Sequence, residues 1–207
     1  MMTRITVGGI LAGLVMFIWS FIAHMVLPVG EMGISSTQGE DAVLASLKSA
    51  DAHGLYLMPG YEYFQSLSKS SAEQQAAMQA LSEKAKRTGS AFIVYRPEGG
   101  VEIGGKTLGL SFFDDVIACW IFAFALWAAM PRIQSFGMRV WLVTIMGLLP
   151  FVISDFGYWN WYAFPGQYMM GRILDYSLGA VFAGVFLAWW LARGEGAPAR
   201  ESVRMAA

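Results

Sequence analysis

Residues 5–27, ITVGGILAGLVMFIWSFIAHMVL, carry no acidic or basic side chain apart from His24. As a helix rising 1.5 Å per residue the stretch is about 34 Å long, enough to cross a bilayer core of about 30 Å. Three more apolar runs follow, at about 112–130 (ending at Pro131), about 140–158 and about 172–192. In hydrocarbon every backbone N–H and C=O must be paired inside the chain, so runs of this length are expected to be helices. The expected fold class is therefore membrane all-α, a four-transmembrane-helix bundle. Arg4 could serve a signal peptide as its basic start, but the run is long for that role and FIAHMVLPVG offers no A-x-A cleavage site. We therefore expect the first run to be retained as a span.

Composition agrees. The chain is 56% hydrophobic and only 14% charged, against about 25% charged in soluble domains. Its net charge of −1 argues against nucleic acid as a partner. Cys119, the single cysteine, excludes an internal disulfide, a CxxC redox pair and a thiolate zinc site.

Orientation is read from Lys and Arg in the short connections. Arg4 precedes the first span, Arg132 and Arg139 flank the second connection, and Arg193, Arg200 and Arg204 follow the last span, whereas 159–171 holds no charge. Both termini are thus expected in the cytoplasm, with 28–110 and 159–171 outside, in a bacterial inner membrane. Trp127, Trp141, Trp189 and Trp190 would then lie near the inner interface, and Trp159 and Trp161 at the outer one.

Four segments follow: 1–27 as the first span, 28–110 as an extracytoplasmic cap, 111–192 as spans two to four, and 193–207 as a cytoplasmic tail. Composition turns polar in the cap, and local signals predict a small α/β unit. GEDAVLASLKSADAHG reads as a short helix, and LYLMPGYEYF as a strand with Pro59 and Gly60 in the positions of a type II turn. SSAEQQAAMQALSEKAKRTG reads as a helix with a Ser70/Glu73 capping box, a face of Met78, Leu81 and Ala85, and a stop at Gly89. SAFIVYRPEGGVEI reads as strand, Gly-rich turn and strand. Such a unit is small for independent stability and is expected to pack on the bundle. The glycines of GGVEIGGKTLG fit neither a P-loop nor a dinucleotide fingerprint and read as a linker.

One level of the spans collects ionisable groups: His24, Asp114, Asp115, Asp155, Arg172 and Asp175. Such groups are costly in a membrane, so they usually turn inward, pair, and mark functional positions. Arg172 lies one turn from Asp175 and across the hairpin from Asp155, so it can neutralise either. Around them Tyr158, Trp159, Trp161, Tyr162, Phe164 and Tyr168 form an aromatic collar, with Pro165-Gly166 as the expected turn. The leading reading of this shelf is a structural clamp with an interfacial belt; the other is a site for a proton, cation or polar ligand. Its surplus of carboxylates leans toward the second. Pro150 should kink the third span, because it cannot donate to the carbonyl of Met146.

Other chemistries are weaker. His24-Met25 or His53 with Met58 has the donor types for copper, but methionines in an apolar chain mostly fill gaps. Haem b would want a second intramembrane histidine, and a quinone site of His24, Asp155 and the collar lacks a supporting motif. We expect no metal and no cofactor. Gly9/Gly13 in span one, and Gly179/Ala183 and Ala180/Gly184 in span four, are spaced for close helix contact. The functional expectation is a non-catalytic accessory or scaffold subunit of a larger membrane complex, with the bilayer and membrane-protein partners or further copies of the chain as its contacts. The alternatives are an ion, proton or solute pathway or sensor at the acidic shelf, and a lipid- or quinone-handling membrane enzyme.

Overall fold

The structure is a computed structural model that describes residues 1–48, 52–100 and 103–193. The chain divides into two compact units, Ser35–Val101 and the rest. The larger is a helical bundle. Helices α1 (Met2–Met25), α5 (Gly105–Ala129) and α8 (Gly166–Ala192) are continuous, and the third span, Phe136–Tyr162, is built from α6 (Phe136–Pro150), a π-helical turn (Phe151–Asp155) and α7 (Phe156–Tyr162). Each of the four is long and apolar enough to cross a membrane. They run up and down in chain order. One end of the bundle, from which the chain departs into the insert, holds the turn at 163–165; the other, terminal end holds the N-terminus and the connection at 131–135.

The spans are longer than the expected runs because the helices continue through their charged residues. Asp114 and Asp115 lie inside α5, and Arg172 lies more than a turn inside α8. Helix α5 even takes in Gly105 and Gly109, which read as linker. The uncharged connection expected over 159–171 shrinks to three residues. Its pivot is Ala163, in the left-handed region at φ 54°, while Pro165 is extended and opens α8 as its cap. The turn therefore falls just before the expected Pro165-Gly166.

Small residues set the packing. A side chain at Gly13 would meet the Val116 backbone of α5 at 2.7 Å, and one at Gly184 would meet Val143 of α6 at 3.1 Å. Gly9 is covered by Trp120, and Gly179 faces Trp19 and Met16 of α1. The close-contact faces seen in the sequence are thus used within the chain, where they let backbones approach in a setting that offers helices little hydrophobic drive to associate. Extensive contacts join α1 to α5, α1 to α8 and α6 to α8, whereas α5 and α6 barely touch.

The two halves of the bundle differ. Toward the terminal end lies a dry core that includes Ala12, Phe122, Leu126, Val143, Leu187 and Leu191. The Arg4 guanidinium donates to the Trp190 carbonyl at 2.8 Å, and the Trp190 indole donates back to the Arg4 carbonyl at 3.0 Å. Arg139, one of the basic residues that flank the 131–135 connection, is buried and donates its Nε–H to the Ile133 carbonyl, tying that connection down. Pro150 stays inside the span: the Phe151 amide donates to the Leu148 carbonyl, and a single π turn follows, one of the irregularities that accompany bends in long helices.

The smaller unit holds α2 (Glu40–Leu47), β1 (Gly54–Met58), α3 (Tyr61–Ser66), α4 (Ser71–Thr88) and β2 (Ala91–Tyr95). Strands β1 and β2 pair antiparallel, Gly54 opposite Tyr95 and Met58 opposite Ala91, with α3 and α4 between them in sequence. Gly54 therefore opens a strand rather than ending a helix. The Met58–Pro59 bond is cis and Gly60 has φ −165°, so the type II turn is replaced, and the YEYF segment starts α3. The partly covered face of α4 is Gln74, Ala77, Leu81 and Ala85, with Met78 exposed. The expected second strand of the Gly-rich hairpin falls on Val101 and Glu102, and the tail on 194–207; both lie outside the described residues.

Candidate functional site

The shelf residues arrive from four helices. His24 ends the last turn of α1, Asp114 and Asp115 sit in the third turn of α5, Asp155 closes the π turn, and Arg172 and Asp175 lie in the second and third turns of α8. Five of the six front one cavity of about 640 Å³ in the insert half of the bundle: His24, Asp114, Asp115, Arg172 and Asp175. Its side walls are α5 and α6, the pair that barely touches, and its floor is α1 and α8.

Asp155 stands apart. Its residue is 3% exposed and its Oδ2 lies 3.5 Å from Arg172 Nε. Neither atom has a hydrogen-bond partner, so the contact is an ion pair of opposite charges rather than a hydrogen bond. The rest of the guanidinium is held by Tyr176: it lies 4.4 Å from the centre of that ring and donates to the Tyr176 hydroxyl. Arg172 therefore chooses the carboxylate across the hairpin, and among the described residues no ion pair joins it to Asp175. Asp175 keeps its carboxylate on the cavity, while its backbone carbonyl accepts from the Trp19 indole at 3.1 Å.

His24 is oriented by its own helix. A carbonyl can only accept, so Nδ1 carries the proton and donates to the Ser20 carbonyl at 2.9 Å. This leaves Nε2 free to accept in the neutral ring. Residues 26–34 fold back so that Gly30 packs on the imidazole, a contact only a residue without Cβ permits. Gly33, at φ 76°, approaches the Tyr168 backbone, and Gly171 approaches the Val29 carbonyl. A second, smaller pocket of about 210 Å³ lies under this segment, and His24, Arg172 and Asp175 line it as well. The three residues thus border both spaces.

The collar divides in two. Tyr158 stacks on Phe164 with ring centres 5.3 Å apart, Tyr162 joins Tyr158, and Tyr168 meets Phe164 edge-on, which staples the turn. Trp159 and Trp161 instead face outward. The sequence reading missed Tyr176, Trp19, Ser20, Ser111 and Ser154, all of which line the cavity. Only Tyr176 had a signal, its spacing of four residues from Arg172 on one helix face. Among the described residues no three His, Cys, Asp or Glu side chains gather as a metal site.

No family model, curated protein or solved structure matches this chain.

Proposed function

We propose that this is an integral membrane protein, with the insert end of its bundle facing the outside, that binds a cation in the cavity between α5 and α6. The observation that carries the reading is charge placement. Asp114, Asp115 and Asp175 front the cavity from two helices, and the one arginine beside them is engaged by Asp155. Formal charge at the site is therefore negative, and a positive ligand, a proton included, offsets the cost of holding carboxylates at this depth. The free Nε2 of His24 and the Tyr176 hydroxyl add polar partners.

On this ground we prefer the acidic-shelf alternative to the accessory-subunit expectation. That expectation drew on close-packing faces awaiting partners, on carboxylates short of bases, and on aromatics around YLMPGYEYF in the cap, of which Tyr61 and Phe64 are exposed. The faces are filled within the chain, and the carboxylates front a cavity of the same bundle.

The test is a binding panel of alkali, alkaline-earth and alkylammonium cations on protein in lipid nanodiscs, comparing wild type with Asp115→Asn/Asp175→Asn. A charged hydrogen bond contributes about 1.5–3 kcal/mol, so loss of both carboxylates should weaken the preferred cation at least about tenfold. A panel in which no cation distinguishes the two proteins would sink the proposal.

A further inference from the structure

We infer that the cation is the head of an amphiphile, a positively charged amine on an alkyl chain, which enters from the membrane through the gap between α5 and α6. The inference rests on the cation-binding reading above and adds the ligand class and its route.

Polarity along the cavity comes first. On α1 the lining passes from His24 to Met16, and on α5 from Asp114 and Asp115 to Ile121 and Phe122, respectively. On the third span it passes from Ser154 to Met146. Each is a step of seven or eight residues, about 10–12 Å of helix, from polar to apolar in the same direction. A small cation uses only the polar end of such a space. An amine with a chain uses both, with the head among the carboxylates and the chain against the apolar walls.

Access comes second. Ile121, Leu149 and Ile153 line the cavity and are also 58%, 47% and 77% exposed. The cavity is therefore open sideways, at the depth of hydrocarbon, between two helices that barely touch. A lipid-dissolved chain reaches it without crossing the polar end. A volume of about 640 Å³ is within the usual range of about 300–1,000 Å³ for ligand sites. Charge decides the head: three carboxylates with the neighbouring arginine engaged favour an amine over a phosphate or sulfate.

The experiment uses full-length protein in nanodiscs and a dodecylammonium probe carrying a photoactivatable diazirine in its chain. Labelling should be saturable and map to residues 118–122 of α5 and 146–153 of the third span. Dodecyltrimethylammonium should compete at least tenfold better than dodecyl sulfate at equal mole fraction in the membrane, and Asp115→Asn/Asp175→Asn should cut labelling at least tenfold. Ala118→Phe, which fills the middle of the cavity, should reduce dodecylammonium labelling; if that variant does not fold, the wild-type label map decides alone. Label spread evenly over lipid-facing residues such as Val152 and Trp161 overturns the inference. So does equal competition by tetramethylammonium, which would leave a small-cation site and the proposed function intact. Loss of discrimination by both the carboxylate variant and the cation panel would overturn the two together.

Discussion

Arg172 decides how the charged level is organised. On its own helix Asp175 at three residues and Tyr176 at four are both within reach, and Asp155 lies across the hairpin. The guanidinium takes Tyr176 and Asp155, which leaves Asp175 to the cavity. Sequence spacing made the two carboxylates legible as partners, though Tyr176 was missed, and it could not rank them, because the ranking depends on where the π turn aims Asp155. The choice has a thermodynamic consequence. Removing one member of a buried pair strands the other charge at a cost of about 3–5 kcal/mol. Arg172→Ala should therefore lower the unfolding temperature in mild detergent. Adding Asp155→Asn should recover most of the loss, whereas adding Asp175→Asn should recover little. Equal rescue by the two amides, or a silent Arg172→Ala, would show that the pair does not hold the hairpin.

At the scale of elements, what is local was legible and what is tertiary was not. Helix α4 begins as expected: the Glu73 amide donates to Ser70 Oγ, and the Ser70 amide and hydroxyl both donate to the Glu73 carboxylate. Ser70→Ala should destabilise the start of α4 by about 1 kcal/mol, read as faster amide exchange in its first turns. The same bonds give α4 an acid dependence. Donation from the Ser70 hydroxyl, then from its amide, holds the Glu73 carboxyl below its ordinary value of 4.5. A carboxyl depressed in the folded state contributes stability that is complete above its unfolded pKa and is lost as pH falls through the folded one. Protection in α4 should thus be flat from neutral pH to the ordinary carboxylate range and drop below it, with the step absent in Glu73→Gln. A protection profile identical in both proteins would remove the capping box from the account. By contrast, the β1–β2 pairing spans two helices, and neither strand's own residues name a partner. Span ends were misplaced for a related reason. Charge in a sequence reads as a boundary, yet here the charged side chains turn toward one another or toward a cavity and the helix runs on.

The cavity is a property of the whole bundle. It exists because α5 and α6 fail to close on each other, and nothing in either helix alone predicts that. Which leaflet it opens to depends on threading, for which the argument is electrostatic. Arg4, Arg132, Arg139 and Arg193 lie at the terminal end, while the turn at 163–165 carries no charge. The bias predicts that the terminal end stays in the cytoplasm and the insert end crosses. Cys119 is fully buried, so it should be silent to a membrane-impermeant maleimide, and its replacement by Ala gives a clean background. In that background Glu83→Cys in α4 and Gln167→Cys at the start of α8 should label from outside intact cells, and Gln134→Cys only after permeabilisation; all three positions are exposed. Accessibility of positions 83 and 167 on opposite sides would break the four-span arrangement itself. A uniform reversal would keep the bundle but turn the mouth between α5 and α6 toward the cytoplasmic leaflet. The amine-headed chain would then have to come from inside the cell, and the positive charge at the terminal end would face the outer surface against its electrostatic preference.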